Sequence, residues 1–245
     1  MYWGGKVKSL APPSLYVDTV TIIVPVKDEE EGLSFLLDDF EKSDLKNNFD
    51  IQFIFVIDVR TSDSSKTVAS IISENIIDQS ETTGKGAAMK QAVLEWYEKP
   101  TKYVVFLDAD GSYSFNSVQS LLDKLVTGPD IVSGSRFLNS QGRPDGMSRL
   151  HNFGNLVLSK ISSIRNRRKI TDLCTGLWGF TAAALKSLEF MSEGFDLEAE
   201  IAGLARKRGL DHQEIPVNWS QRKGGVSKLS SLKDGSIILL RILTT

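Results

Sequence analysis

The stretch YVVFLDADGSYS, residues 103–114, runs five largely apolar residues straight into Asp108-Ala109-Asp110. Residues 104–107 read as a short buried strand. Alternate residues of a strand project to the same side, so this reading sends both carboxylates off one strand end together. Open α/β sheets bind their ligands outside the carboxyl ends of the strands. With 18 Asp in 245 residues, chance alone supplies about one such spacing; its place after a buried strand is what gives it weight. Adjacent like charges raise each other's pKa unless a cation lies between them. Mg²⁺ or Mn²⁺ on Asp108 and Asp110, sharing its remaining positions with phosphate oxygens, is the simplest resolution, and a solvated turn is the plain alternative.

Outward from this stretch, strands and helices alternate. TVTIIVPV (19–26) predicts a buried strand, and the helical spacing of Leu33, Leu36, Leu37 and Phe40 a helix after it. DIQFIFVID (50–58) is a second strand, followed by a helix opened by the cap-type residues Ser62 and Asp63. GKGAAMKQAVLEWY (84–97) is a third helix, and a helix near 115–125 and a strand at 130–133 follow. This order predicts an α/β fold with a mostly parallel central sheet flanked by helices. We expect a tail over 1–18, one domain over 19–235 and an apolar or amphipathic segment over 236–245.

Composition sets the bounds. The chain is 41% apolar and 24% charged, ordinary for a soluble globular protein. Cys174 is its single cysteine, which excludes an intrachain disulfide and points to a reducing, cytoplasmic compartment. The first 17 residues lack the apolar run of a signal peptide, and no run of about 18 apolar residues occurs anywhere. The net charge of −2 hides an asymmetry: residues 1–135 carry −9 and residues 136–245 carry +7. A basic half is a solvated surface or one that meets phosphates or an anionic membrane. Basic residues without interleaved aromatics, and a pI of about 5.8, argue against nucleic acid.

The first strand turns through Pro25-Val26-Lys27-Asp28 and lacks the glycine fingerprint of dinucleotide binding; GKGAAMK lacks the spacing of a P-loop. Seven segments nevertheless stand in a telling order: IIVPVKDEE, VIDVRTSDSS, GKGAAMKQA, DADGS, GSRF, DLCTGLWGF and QRKGGVSK. Together they resemble a GT-A-fold glycosyltransferase of family 2, and within it the polyprenyl-phosphate hexosyltransferases such as dolichol-phosphate mannose synthase. The likeness spans about residues 19–235. The second segment matches the family pattern at Asp58, Ser62 and Asp63 and departs from it at Val59, where a second Asp is usual, and at Ser65.

The resemblance implies a donor site formed by Pro25, Val26, Asp28, Asp58, Lys85, Gly86, Asp108 and Ala109. The residues agree with it chemically. Pro25 bends a strand end, and Asp28 and Asp58 can accept hydrogen bonds from a base and a ribose, although Asp28 is equally suited to cap a helix. Gly84 and Gly86 permit close backbone approach, with Lys85 as a charge partner. Arg136 offers a planar fork to a diphosphate, or else forms a surface salt bridge. Asp110, Arg136 and Asp172 are the expected catalytic residues. Arg222, Ser227 and Lys228 supply donors suited to an acceptor phosphate.

The activity expected is inverting transfer of a hexose from a UDP- or GDP-linked sugar to a polyprenyl phosphate, at the cytoplasmic face of a membrane. The segment SIILLRILTT is suited to lie on a membrane surface, to dock a partner or to close the core. Since relatives often continue here into transmembrane helices, an anchor lying beyond this sequence or borrowed from elsewhere is an expectation of the resemblance. Three alternatives are weighed beside it. One is a family 2 enzyme with a soluble hydroxyl acceptor, for which Asp196 or Glu198 would be the general base. Another is a haloacid-dehalogenase-type phosphatase, whose strand-D-x-D-G motif VVFLDADGS also resembles but whose downstream acidic pair is missing. The last is a non-catalytic membrane-docking module. Neither His151 nor His212 is expected to act in catalysis, and Cys174 is expected to pack.

Overall fold

A computed structural model describes residues 17–79, 83–139, 143–144, 146–224 and 233–245. Along the chain run β1 (Asp18–Val26), α1 (Glu30–Lys42), α2 (Leu45–Asn48), β2 (Phe49–Ile57), α3 (Ser65–Ile72), β3 (Ile76–Asp78), α4 (Lys85–Glu98) and β4 (Tyr103–Leu107). They continue through α5 (Phe115–Val126), β5 (Ile131–Ser135), α6 (Arg149–Asn166), β6 (Leu177–Thr181), α7 (Ala182–Ser187), α8 (Leu197–Lys207), β7 (His212–Pro216) and α9 (Lys233–Thr244). Among the described residues these strands form one seven-stranded sheet in the order β3-β2-β1-β4-β6-β5-β7. All its pairings are parallel except those of β6, which runs antiparallel to β4 and β5.

The pleat of a strand divides its side chains between two faces. Val20, Ile22, Val24 and Val26 enter one core with α1 and α5, while Ile23 enters the other with α4, α7, α8 and α9. Strands buried on both faces read as near-continuous apolar runs, as TIIVPV and IFVI do.

The strands end close to where the sequence puts them, and the departures have physical reasons. Helix α3 begins at Ser65, because Asp63 is otherwise engaged: one carboxylate oxygen accepts from the Ser65 N–H and the other from the Glu30 N–H, tying the start of α1 to the start of α3. Strand β6 (Leu177–Thr181) falls in a stretch for which the sequence pattern predicts no strand. Gly179 lies so close to the Leu121 side chain that a Cβ there would collide with it, so α5 packs directly on this strand. His212 opens β7 inside the core, where its Nε2 is 2.8 Å from Ser133 Oγ and its ring stacks on Trp178. Burial, aided by the Arg168 charge, pushes its pKa down to about 3.

The C-terminal apolar segment forms α9, which packs against α6 and α8 and buries Ile238 and Ile242. Its Arg241 reaches back to Asp196 at 2.8 Å and Glu200 at 3.4 Å. No helix among the described residues is long and apolar enough to cross a membrane.

Candidate active site

β1, β2 and β4 all deliver their carboxyl ends to one edge of the sheet. Strand β4 stops at Leu107, so Asp108, Ala109 and Asp110 lie in the turn after it. The Asp108 N–H donates to the Gly176 carbonyl at 3.1 Å. The missing side chain of Gly176 makes this approach possible, because a Cβ there would fall on the Asp108 carboxylate. Ala109 is buried, and its carbonyl is pressed by Gly32 of α1. Asp110 is partly exposed; its Oδ1 accepts from the Ser112 N–H at 3.0 Å, and its carbonyl accepts from the Lys223 N–H at 2.9 Å.

The two carboxylates of the motif therefore have different partners. Asp108 meets Lys85, whose Nζ lies 2.6 Å from Asp108 Oδ1 and 2.8 Å from Glu198 Oε1. Burial works against the charge on Lys85, but the two carboxylates outweigh it and hold the lysine above its ordinary pKa. Burial pushes the Glu198 carboxyl up while Lys85 draws it back. A cavity of about 10 Å³ beside this triad is lined by Pro25 and Trp178 among others, which places Pro25 against the Lys85 cluster.

Gly84 and Gly86 do permit a close approach, and the group that approaches is protein. A Cβ on Gly84 would strike the Glu193 carbonyl, and one on Gly86 the Ser192 carbonyl. Gly84 also holds φ at +123°, which favours glycine. These contacts seat the start of α4 on the loop before α8 and aim Lys85 inward.

Asp28 and Asp58 stand at the ends of β1 and β2. Asp28 adopts φ +50° and accepts at Oδ1 from the Ser62 N–H (2.7 Å) and hydroxyl (3.1 Å); helix α1 begins beyond it, at Glu30. Asp58 takes a paired hydrogen bond from the Arg60 guanidinium at 2.9 and 2.6 Å, which holds its carboxyl below the usual range. Val26 turns its side chain into the core and accepts the Asp58 N–H at its carbonyl.

Arg136 leaves the end of β5 with 11% of its side chain exposed, and its partner Asp172 is buried, so its ion pair is not a surface one. Its guanidinium donates to both Asp172 oxygens at 2.6 and 2.7 Å and to the Cys174 carbonyl at 2.8 Å. Asn155 of α6 donates to Asp172 as well, and Glu214 of β7 accepts from the Asp172 N–H. Cys174 is packed there, and burial pushes its thiol up to about 12. Tyr113 hydrogen-bonds Thr175 and the Gly176 N–H, joining this group to the turn after β4.

Arg222 donates to Glu29 Oε1 at 2.5 Å and to the Gly224 carbonyl at 2.8 Å. With the Lys223–Asp110 backbone bond, it lays the basic segment across the turn after β4 and the start of α1. Ser227 and Lys228 lie outside the described residues. Asp196 is engaged by Arg241 and by the Ser192 hydroxyl at 2.9 Å; burial raises its pKa, but these bonds hold it below its ordinary value. Asn155, Glu29 and Glu214 escaped the sequence reading, because their partners lie 17, 193 and 42 positions away and no local pattern marks them.

The comparisons with known proteins bear on this edge. The family model for glycosyl transferase family 2 matches residues 21–189, most of the sheet and the turn after β4. The chain belongs to glycosyl transferase family 2. This glycosyltransferase is 30% identical over 226 residues to Glycosyltransferase AglJ of Haloferax volcanii, covering 92% of this chain and 71% of the relative. It is 26% identical over 221 residues to the Dolichyl-phosphate hexose transferase of the same organism, covering 90% and 91%. Among solved structures it superimposes on glucosyl-3-phosphoglycerate synthase of Mycobacterium tuberculosis in complex with Mn²⁺, UDP and phosphoglyceric acid. That match has a TM-score of 0.65 at 16% identity, over 92% of this chain and 76% of the other. The fold is GT-A, and the phosphatase alternative finds no support.

Proposed function

We propose that this glycosyltransferase moves a hexose from a nucleotide-diphosphate sugar to the phosphate of a polyprenyl carrier, inverting the anomeric carbon. One observation carries the reading: the two carboxylates weighed as general bases are both committed to cations, Glu198 to Lys85 and Asp196 to Arg241. An attacking hydroxyl must lose a proton, whereas a phosphate monoester with a second pKa of about 6 is already largely dianionic at neutral pH. The likeness to the Dolichyl-phosphate hexose transferase of Haloferax volcanii supports a lipid-phosphate acceptor.

The donor's diphosphate would lie over the turn after β4. Asp110, with Asp108 beside it, would hold Mg²⁺ or Mn²⁺, which when bound offsets charge on the leaving diphosphate. The turn fits such an ion. Its donors are hard oxygens, Asp110 is partly exposed, and no group of three or more His, Cys, Asp or Glu side chains gathers among the described residues, so diphosphate oxygens and water would complete the shell. Lys85 fixes the Asp108 carboxylate and puts a positive charge at the donor side. Arg136, immobilised by Asp172, adds a guanidinium already oriented before the substrate arrives. Pro25, Val26, Asp28 and Asp58 would frame the nucleoside, the backbone of Ala109 and Gly86 bordering it.

The carrier phosphate, held by Arg222 with Ser227 and Lys228, would attack the anomeric carbon from the face opposite the diphosphate. One C–O bond forms, one breaks, and the nucleoside diphosphate departs with the bonding pair. A thermal-shift series with UDP-, GDP- and TDP-sugars, with and without Mn²⁺, tests the donor half, since a ligand of the native state raises stability. A metal-dependent rise with one nucleotide class is expected; no rise with any of them contradicts the reading.

A further inference from the structure

Helix α6 is largely inside out, although Leu158 and Ile161 pack half-buried against the core. Its buried residues are Asn155, Ser159, Ser162 and Asn166, all polar, while Leu150, Phe153, Leu156, Val157 and Ile164 are exposed. At 3.6 residues per turn the buried four fall within an arc of about 60° and the exposed five within about 120° on the opposite side. The inner face is polar for a local reason. Asn155 donates to Asp172 and accepts from the Cys174 N–H, and Ser159 accepts from the Leu173 N–H, so the helix holds the loop that orients Arg136. Nothing in the fold calls for the outer face to be apolar. Phe153 and Ile164 are 67% and 69% exposed, and the neighbouring α9 exposes Ile237, Leu240 and Leu243.

Charge identifies the occupant. From Arg149 to Thr171 the chain carries six basic residues, Arg149, Lys160, Arg165, Arg167, Arg168 and Lys169, and no acidic one. A second copy docking through the same face would set two such clusters against each other. An anionic bilayer complements both features: apolar side chains enter the headgroup boundary, and Lys160, in the midst of the apolar arc, can extend its stem and keep its ammonium among lipid phosphates.

We propose that the outer face of α6 docks this enzyme on an anionic lipid surface, bringing the Arg136–Asp172 group to within about one helix diameter, ~10 Å, of the headgroups. The purpose of this docking rests on the polyprenyl-phosphate reading, but its test does not.

The full chain is floated with vesicles of neutral phosphatidylcholine and with vesicles containing anionic phosphatidylglycerol, beside F153D/I164D and K160E/R167E variants. All four positions are solvent-facing, and each variant is checked for an unchanged melting temperature. The wild type is expected to bind the anionic vesicles preferentially and salt-sensitively, and each double variant to lose binding at least about tenfold. Transfer to a short, water-soluble prenyl phosphate is expected to stay unchanged in F153D/I164D. Equal binding of the wild type to both vesicles overturns the proposal, as does wild-type binding by F153D/I164D. So does a wild-type dimer that F153D/I164D dissociates while vesicle binding is absent. Anionic vesicle binding without any transfer to a phosphate acceptor would sink the catalytic reading and leave the docking surface standing.

Discussion

Lys85 Nζ stands 2.6 Å from Oδ1 of Asp108 and 2.8 Å from Oε1 of Glu198, so one side chain at the start of α4 ties the turn after β4 to helix α8. The repulsion expected between Asp108 and Asp110 is relieved on one side by this lysine, before any metal arrives. It engages Asp108 with a cation while Asp110 accepts from the Ser112 N–H, and makes the shape of the turn depend on an ion pair to a buried lysine.

Lys85→Met should therefore destabilise the protein by about 3 kcal/mol at pH 7, toward the low end for breaking a buried pair because Asp108 keeps some solvent access. With the lysine gone, Glu198 is a buried carboxylate without its cation, and its pKa rises further. A group whose folded pKa is raised stabilises below that pKa, so the deficit should narrow as pH falls through the raised pKa of Glu198. Urea unfolding of both proteins across pH 5–8 checks this; a deficit independent of pH contradicts it.

Asp110→Asn keeps an oxygen to accept the Ser112 N–H, so the turn should persist while the proposed metal affinity falls. Transfer should drop by at least about a hundredfold with the melting temperature unchanged. Full wild-type activity in EDTA would remove the metal from the account.

Arg222→Ala should raise the acceptor KM roughly ten- to a hundredfold, the loss of one charged phosphate partner, and leave donor affinity nearly constant. Arg222→Lys keeps a charge opposite Glu29 and should recover part of the loss. A collapse of donor affinity with an unchanged acceptor KM would exchange the two sites.

His212 has a folded pKa of about 3 against 6.5 for a free histidine, set first by burial and then by Arg168. Its contribution is fully present above pH 6.5 and is lost as pH falls toward 3, at up to about 1.4 kcal/mol per pH unit. Unfolding free energies for the wild type and His212→Asn should show a shallower acid slope in the variant; identical slopes would contradict the buried neutral histidine.

Much of the fold was legible because apolar runs and helical spacing are local. β1, β2, β4 and α5 announce themselves, and the turn after β4 falls where the quoted stretch puts it. Helix α6 did not announce itself, because its fully buried residues are polar and five of its apolar residues face out, the reverse of the usual stripe. β6 was hidden because LWGFT is short and interrupted by Gly179, which leaves no strand-length apolar alternation to read. At the site, the residue types were legible and their partners were not. Nothing in GKG indicates that its glycines meet residues 192–193, or that Lys85 bridges Asp108 and Glu198, since both pairings are made by tertiary packing across long stretches of chain.

The central claim is the acceptor: a phosphate that needs no base. The most direct measurement supplies radiolabelled UDP- and GDP-hexoses with Mn²⁺ and compares a short polyprenyl phosphate with the corresponding polyprenol, in the wild type and in Asp196→Asn and Glu198→Gln. The account predicts product from the phosphate alone and, in both variants, a rate within about tenfold of wild type, short of the 10²–10⁴ loss that follows removal of a general base. Comparable product from the polyprenol, or a loss of three decades in either variant with donor binding and fold intact, would contradict it.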